Sequence, residues 1–271
     1  MITRVITALI ALPIVIAVVF VGNLWFAGGV LVFALIAGWE FDRMMKVGGY
    51  GTNLILISGL IALLILDQVQ SNLSLSCIIT AALLISLIVQ LFQTSETPTA
   101  DWALTIAGGL YIGWGMAHLI ALRQLADGLA WIWLALLSTW AADTFAYFAG
   151  KALGRTKLWP RHSPKKTWEG LFGGIIGGIL GAVVIALVSN LSLANALVIG
   201  SIIPIVALFG DLAISMMKRH VQVKDSSNLF PGHGGFLDRL DSILFVSVVV
   251  YQYAIWSGLL GLSGVWNISL F

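Results

Sequence analysis

Between residues 210 and 242 the chain places acids and bases at spacings that suit a metal ion and a phosphate. Asp211, Ser215 and Arg219 are spaced i, i+4 and i+8, so on a helix they share one face, with Lys218 beside them. Asp238 and Asp241 are spaced i, i+3, and on a helix that starts after a turn at Pro231–Gly235 both carboxylates point the same way. Two helix ends meeting here would bring three carboxylates together. Mg²⁺ takes oxygen ligands and is usually held by one or two carboxylates plus substrate phosphates. Lys and Arg bind phosphate oxygens as point charges or as forks, and Gly234-Gly235 would let backbone N–H groups approach a phosphate just before a helix N-terminus. A second stretch, Lys165-Lys166-Thr167, also precedes an apolar run. The combination suits a metal–nucleotide or metal–pyrophosphate substrate. There is no Gly-x4-Gly-Lys-Ser/Thr loop, no His-Glu-x-x-His pair and no Gly-x-Ser-x-Gly elbow.

The elements that must position these residues are apolar. Of 271 residues, 59% are hydrophobic and 10% charged, and mean hydropathy is +1.01. A soluble domain carries about 25% charged residues, so soluble globular and disordered chains are both excluded. The single cysteine, Cys77, excludes a disulfide framework and a Cys-rich metal site. A net charge of +2 gives no reason to expect nucleic-acid binding. The composition predicts an all-α polytopic membrane bundle. Nine spans are expected: Val5–Val21, Leu24–Trp39, Thr52–Leu66, Leu73–Phe92, Trp102–Leu122, Leu129–Phe148, Leu171–Val188, Leu191–Phe209 and Ile243–Gly261. The first is read as a retained helix rather than a signal peptide, because no small-x-small cleavage site follows it.

Only Asp143 falls inside these spans, at a cost of about 2.5–3.5 kcal/mol on insertion scales. It lies near the inner end of the sixth span and is expected to face the same cavity as the clustered acids. With nine spans, 13 of the 14 Lys and Arg fall on one side and Arg123 alone on the other. The positive-inside rule then puts the amino end in the cytoplasm and the carboxyl end outside. Residues 1–128 read as a scaffold of five spans, and 129–271 as the region carrying the chemistry. Gly173, Gly174, Gly177, Gly178 and Gly181 recur at helical spacing and predict a close helix–helix contact. Arg4, Arg43, Lys46, Lys151 and Arg161 need no role beyond the charge rule, and Asp225 reads as structural.

The stretch Ser215-x2-Lys218-Arg219-x4-Lys224-Asp225-x5-Pro231-x-His233-Gly234-Gly235-x2-Asp238-Arg239-x-Asp241 resembles the signature of the CDP-diacylglycerol synthase (phosphatidate cytidylyltransferase) family. Ser163–Gly170 resembles a second block of that family, and Asp143–Lys157 a third, more loosely, with Phe145 and Leu153 departing from it. The resemblance implies a multi-helix membrane enzyme that condenses CTP with phosphatidic acid, giving CDP-diacylglycerol and pyrophosphate. It implies a requirement for Mg²⁺, allows a second, monovalent cation such as K⁺, and implies a homodimer in the inner membrane with its site on the cytoplasmic side. Family metal positions fall on Asp211 and Asp238, with Asp241 a direct or outer ligand. Lys165, Lys166, Thr167, Lys218, Arg219, Lys224, Arg239, Ser215 and Asp143 are then expected around the triphosphate or the lipid phosphate. His233 would hydrogen-bond phosphate or protonate the leaving pyrophosphate. A CTP-dependent lipid or polyprenol kinase would use similar residues. An anion transporter fits less well, because the polarity lies at one face rather than at the midplane.

Overall fold

The structure, a computed structural model, describes residue 13 and residues 15–70, 74–161, 163–227, 229 and 234–259. Eight helices and one short ribbon follow the helical residues 15–21: α1 (Asn23–Val47), α2 (Leu54–Gln70), α3 (Leu75–Leu91), α4 (Pro98–Gln124), α5 (Gly128–Leu153), β1 (Lys157–Trp159), β2 (Ser163–Thr167), α6 (Trp168–Val188), α7 (Leu193–His220) and α8 (Leu237–Leu259). Six of these, all but α2 and α3, are long and apolar enough to cross a membrane. The two shorter ones have 17 residues each, or about 26 Å at 1.5 Å per residue, against a hydrocarbon core of about 30 Å. Most of the expected first span lies outside the described residues. The protein is thus all-α apart from its ribbon, and it is built as an integral membrane protein.

The chain divides into two compact units, Met1–Ile120 with Met216–Leu240, and Ala121–Ser215 with Asp241–Phe271. In the first unit small residues let α1, α2 and α4 approach closely. Gly38 packs beneath Ile61, Gly108 against the ring of Phe41, and Gly113 on Leu64 and the backbone of Ile61. The connection from α1 to α2 is pinned by side chains. Asp101, fully buried in the first turn of α4, accepts the Gly51 amide at 2.8 Å. The Thr52 hydroxyl donates to Asp42 at 2.7 Å, and Asn53 caps α2 by accepting the Leu56 amide at 3.2 Å.

α1 is longer than its hydropathy suggests. It runs on from Trp39 through Glu40, Asp42, Arg43 and Lys46, so Asp143 is not alone among charged residues in the long helices. Glu40 is fully buried.

In the second unit the glycine stripe of α6 packs on two sides. Gly173, Gly177 and Gly181 face α5 at Ala149, Ala141 and Ser138, and Gly178 faces Gly200 and Pro204 of α7. The close contact expected from the spacing is present within the chain. α7 and α8 run side by side: Gly210 packs on the Asp241 backbone, Ser242 donates to the Ala207 carbonyl at 3.2 Å, and Tyr253 donates to Asn195 at 3.0 Å. The ribbon, which hydropathy left as loop, pairs Lys157 with Thr167 and Trp159 with Ser163.

A β-carbon at Gly177 would lie 2.6 Å from the Ala141 carbonyl oxygen, whereas one at Gly59 meets nothing. Gly177→Val should therefore cost about 1–3 kcal/mol or more through overpacking and lower the melting temperature in detergent. Gly59→Val should leave it within about 1 °C apart from the intrinsic helix preference.

Candidate active site

The second unit holds a cavity of about 510 Å³, a size at which clefts take small-molecule ligands. Asp143 of α5, Lys165, Lys166 and Thr167 of β2, and Asp211 of α7 all line it, and so does Lys151. The ribbon explains how Lys165 and Lys166 get there. Its second strand ends at Thr167, whose side chain caps α6 by accepting the Gly170 amide at 3.1 Å. The Trp168 amide donates to the Thr156 carbonyl at 3.0 Å, and the Thr156 amide donates back to the Glu169 carboxylate at 3.1 Å. These bonds fix the two lysines just ahead of a helix N-terminus, where the backbone dipole favours anions. Thr167, expected among the phosphate contacts, uses its oxygen for the cap.

In this cavity Lys166 Nζ lies 2.5 Å from Asp211 Oδ2. The Ser215 hydroxyl donates to Asp211 Oδ1 at 3.1 Å, so the i, i+4 alignment of these two residues is present. Arg219, expected one turn further along that face, donates instead to the Val223 carbonyl at 3.1 Å, beyond the end of α7.

The first unit carries the other half of the signature. Lys218 Nζ meets Asp238 Oδ1 at 2.6 Å, and both side chains are only 10% exposed. Asp238 Oδ2 accepts the amides of Ser226 at 2.9 Å and Gly235 at 3.0 Å. Removing two charges from water is costly unless hydrogen bonds satisfy what remains, and here both carboxylate oxygens are engaged. Lys224 and Arg239 are exposed. Asp241, buried at the start of α8, accepts the amide of the next residue, Ser242, at 2.7 Å. His233, Pro231 and Gly232 lie outside the described residues.

Gly235 differs from the expectation that it bares amides for a phosphate. Its own amide serves Asp238, and the next two, Phe236 and Leu237, donate to Glu40 at 2.8 and 2.6 Å. A side chain at Gly235 would collide with Ser226 Oγ and with both Glu40 oxygens. The glycine is there to admit a carboxylate of the protein itself.

Sequence reasoning missed Glu40, Ser226, Ser227 and Lys151. Glu40 bonds to residues 186 to 197 positions away, a separation that no local pattern reveals. Lys151 falls in the last turn of α5, and its place on the cavity depends on the ribbon folding back.

Among the described residues no group of three or more His, Cys, Asp or Glu side chains is placed to hold a metal ion. Asp211 and Asp238, each in its own unit, carry carboxylate oxygens of the hard kind that Mg²⁺ prefers.

An apolar helical protein with paired acids and cations near its helix ends belongs to a recognisable class. The model of the cytidylyltransferase family matches residues 2–256, and the chain belongs to that family. It is 35% identical over 264 residues to a phosphatidate cytidylyltransferase of Bacillus subtilis (strain 168), covering 92% of this chain and 95% of the relative. It is also 35% identical over 267 residues to one from Pseudomonas aeruginosa, covering 94% and 96%, and 35% identical over 254 residues to one from Staphylococcus haemolyticus, covering 90% and 95%.

The two ion pairs differ in exposure, and their energetics should differ accordingly. Lys218→Met leaves a buried carboxylate without its cation, a loss of about 3–5 kcal/mol. Lys166→Met breaks a pair whose side chains are 21% and 36% exposed, worth about 1 kcal/mol or less. Melting in detergent should therefore fall further for Lys218→Met, by about 5 °C or more. Equal shifts would show that burial does not set the strength of these pairs.

Proposed function

We propose that the protein joins CTP to phosphatidic acid, releasing pyrophosphate and leaving CDP-diacylglycerol in the membrane. The observation that carries this reading is the cavity on which Lys165, Lys166, Asp143 and Asp211 converge, within a chain of the cytidylyltransferase family. A phosphate monoester has a second pKa of about 6, so near neutral pH the lipid oxygen is already an anion and needs little help from a base. The obstacle is repulsion, because an anion must approach the α-phosphorus of a polyanion. The new bond joins a phosphatidate oxygen to that phosphorus, and the bond to the β-phosphate's bridging oxygen breaks. Catalysis of such a step rests on positioning and on neutralising charge.

The residues divide the work accordingly. Lys165 and Lys166 bind phosphate oxygens at the ribbon, and Lys166 is placed to exchange Asp211 for such an oxygen. Lys218, Arg219, Lys224 and Arg239 provide positive charge around residues 216–240, with His233 bonding to phosphate or protonating the leaving group. Asp211 and Asp238 would hold Mg²⁺, with Asp241 in a supporting place; bound there, the ion would neutralise triphosphate charge and orient the leaving group. A monovalent cation such as K⁺ is a further element of this reading. We place the protein in the inner membrane with nine spans, the amino end and the active site on the cytoplasmic face and the carboxyl end outside, working as a homodimer. The acyl chains of the substrate then stay in the bilayer while its headgroup enters the site.

Purified protein in detergent, given phosphatidic acid, CTP and Mg²⁺, should release pyrophosphate. Release of CDP would mark a lipid kinase instead. Asp211→Asn and Asp238→Asn should each lower turnover at least about 100-fold, with folded protein retained by size-exclusion chromatography. Normal turnover by either variant would remove that residue from the metal site. Lys166→Ala should raise the KM for CTP or for the lipid about tenfold, as expected for one lost contact between an ammonium and a phosphate. Unchanged values for both would take Lys166 out of the site.

A further inference from the structure

Glu40 is a carboxylate near the end of α1, fully buried, in a helix whose other buried residues, Asp42 apart, are apolar or glycine. Its four hydrogen bonds are evenly divided. Oε1 accepts from the Ser227 hydroxyl at 2.5 Å and the Phe236 amide at 2.8 Å, and Oε2 from the Ser226 hydroxyl at 3.0 Å and the Leu237 amide at 2.6 Å. Phe236 and Leu237 lie at the start of α8, where backbone amides have no partner within the helix. One side chain thus ties a loop, 226–227, to the first turn of a helix.

That first turn carries Asp238. Ser226 is common to both carboxylates: its hydroxyl is 3.0 Å from Glu40 Oε2 and 3.0 Å from Asp238 Oδ2, and its amide donates to Asp238 at 2.9 Å. The Phe33 ring packs on Phe236, with centroids 4.9 Å apart, so α1 grips this turn by an apolar contact as well. We infer that Glu40 is a positioning residue: it sets the aim of Asp238, and with it Lys218, by anchoring Ser226, Ser227 and the α8 amino terminus. This inference rests on the proposed cytidylyl transfer for its catalytic consequence, but not for the anchoring itself.

The carboxylate is needed, not merely a polar group of that size. Each oxygen receives one backbone N–H, and a backbone N–H can only donate. In Glu40→Gln one oxygen becomes an NH₂ group. Whichever way that amide turns, the Phe236 or Leu237 N–H faces a donor and loses its acceptor.

The test compares wild type and Glu40→Gln in detergent by hydrogen–deuterium exchange and by kinetics. Amides in peptides spanning 226–240 should exchange about tenfold faster or more in the variant, with peptides of α2 unchanged. The kcat should fall about tenfold or more, while the KM for CTP stays within about threefold. Unchanged exchange would overturn the anchoring, and faster exchange with an unchanged kcat would overturn the positioning role. If Glu40→Gln does not accumulate, Ser227→Ala removes one hydroxyl donor and leaves the backbone bonds; it should move exchange and kcat the same way by a smaller factor, and no change in either would sink the proposal. Wild-type protein that makes no cytidylyl lipid would end the functional reading, whereas the exchange result decides Glu40 on its own.

Discussion

Charge is scarce in this chain, and a buried charge is tolerated only in company. Asp238 has Lys218 and two backbone amides. Glu40 has two hydroxyls and two amides, and Asp101 has the Gly51 amide and the hydroxyls of Ser95 and Thr97. An isolated ionised carboxylate in an apolar setting is too costly to persist, so each acid dictates the placement of the donors around it. That constraint turns an apolar scaffold into one with defined polar points. Of the acids proposed to hold a metal, Asp211 and Asp238 are each paired with a lysine, Lys166 and Lys218.

The two lysine–carboxylate pairs are built by different means. Lys166 is delivered by a ribbon that ends in a threonine cap, and its partner Asp211 sits in a long apolar helix on the wall of a cavity. Lys218 and Asp238 are brought together at the end of α7 and the start of α8, with Ser226 bonded to Asp238 and Glu40 reaching in from α1. The partly exposed pair suits exchange with an incoming phosphate. The buried pair is held within its own unit by the Ser226 and Gly235 amides.

Much of this was legible in the residues. The glycine spacing of α6 foretold its tight contacts, because small residues repeated at helical spacing let neighbouring backbones approach closely. The polar signature pointed to the ends of α7 and α8, and these helices do lie side by side. The ribbon was not legible: Ser163–Thr167 carries charge on successive residues and lacks the alternation that marks a strand. The extension of α1 past Trp39 was hidden because hydropathy falls where Glu40, Asp42 and Arg43 begin, although Phe41, Met44 and Met45 continue the buried pattern. Gly235 was misread for a related reason. Its neighbour in space is a side chain of α1, and nothing in the local sequence announces it.

The central claim is that these paired charges receive CTP and a lipid phosphate so that the α-phosphorus is attacked. The most direct measurement follows the label from CTP carrying ³²P at the α position or at the γ position, incubated with phosphatidic acid and the purified protein. The account predicts that α-label enters the lipid and γ-label leaves as pyrophosphate. Lipid labelled from the γ position, or from neither, would contradict it.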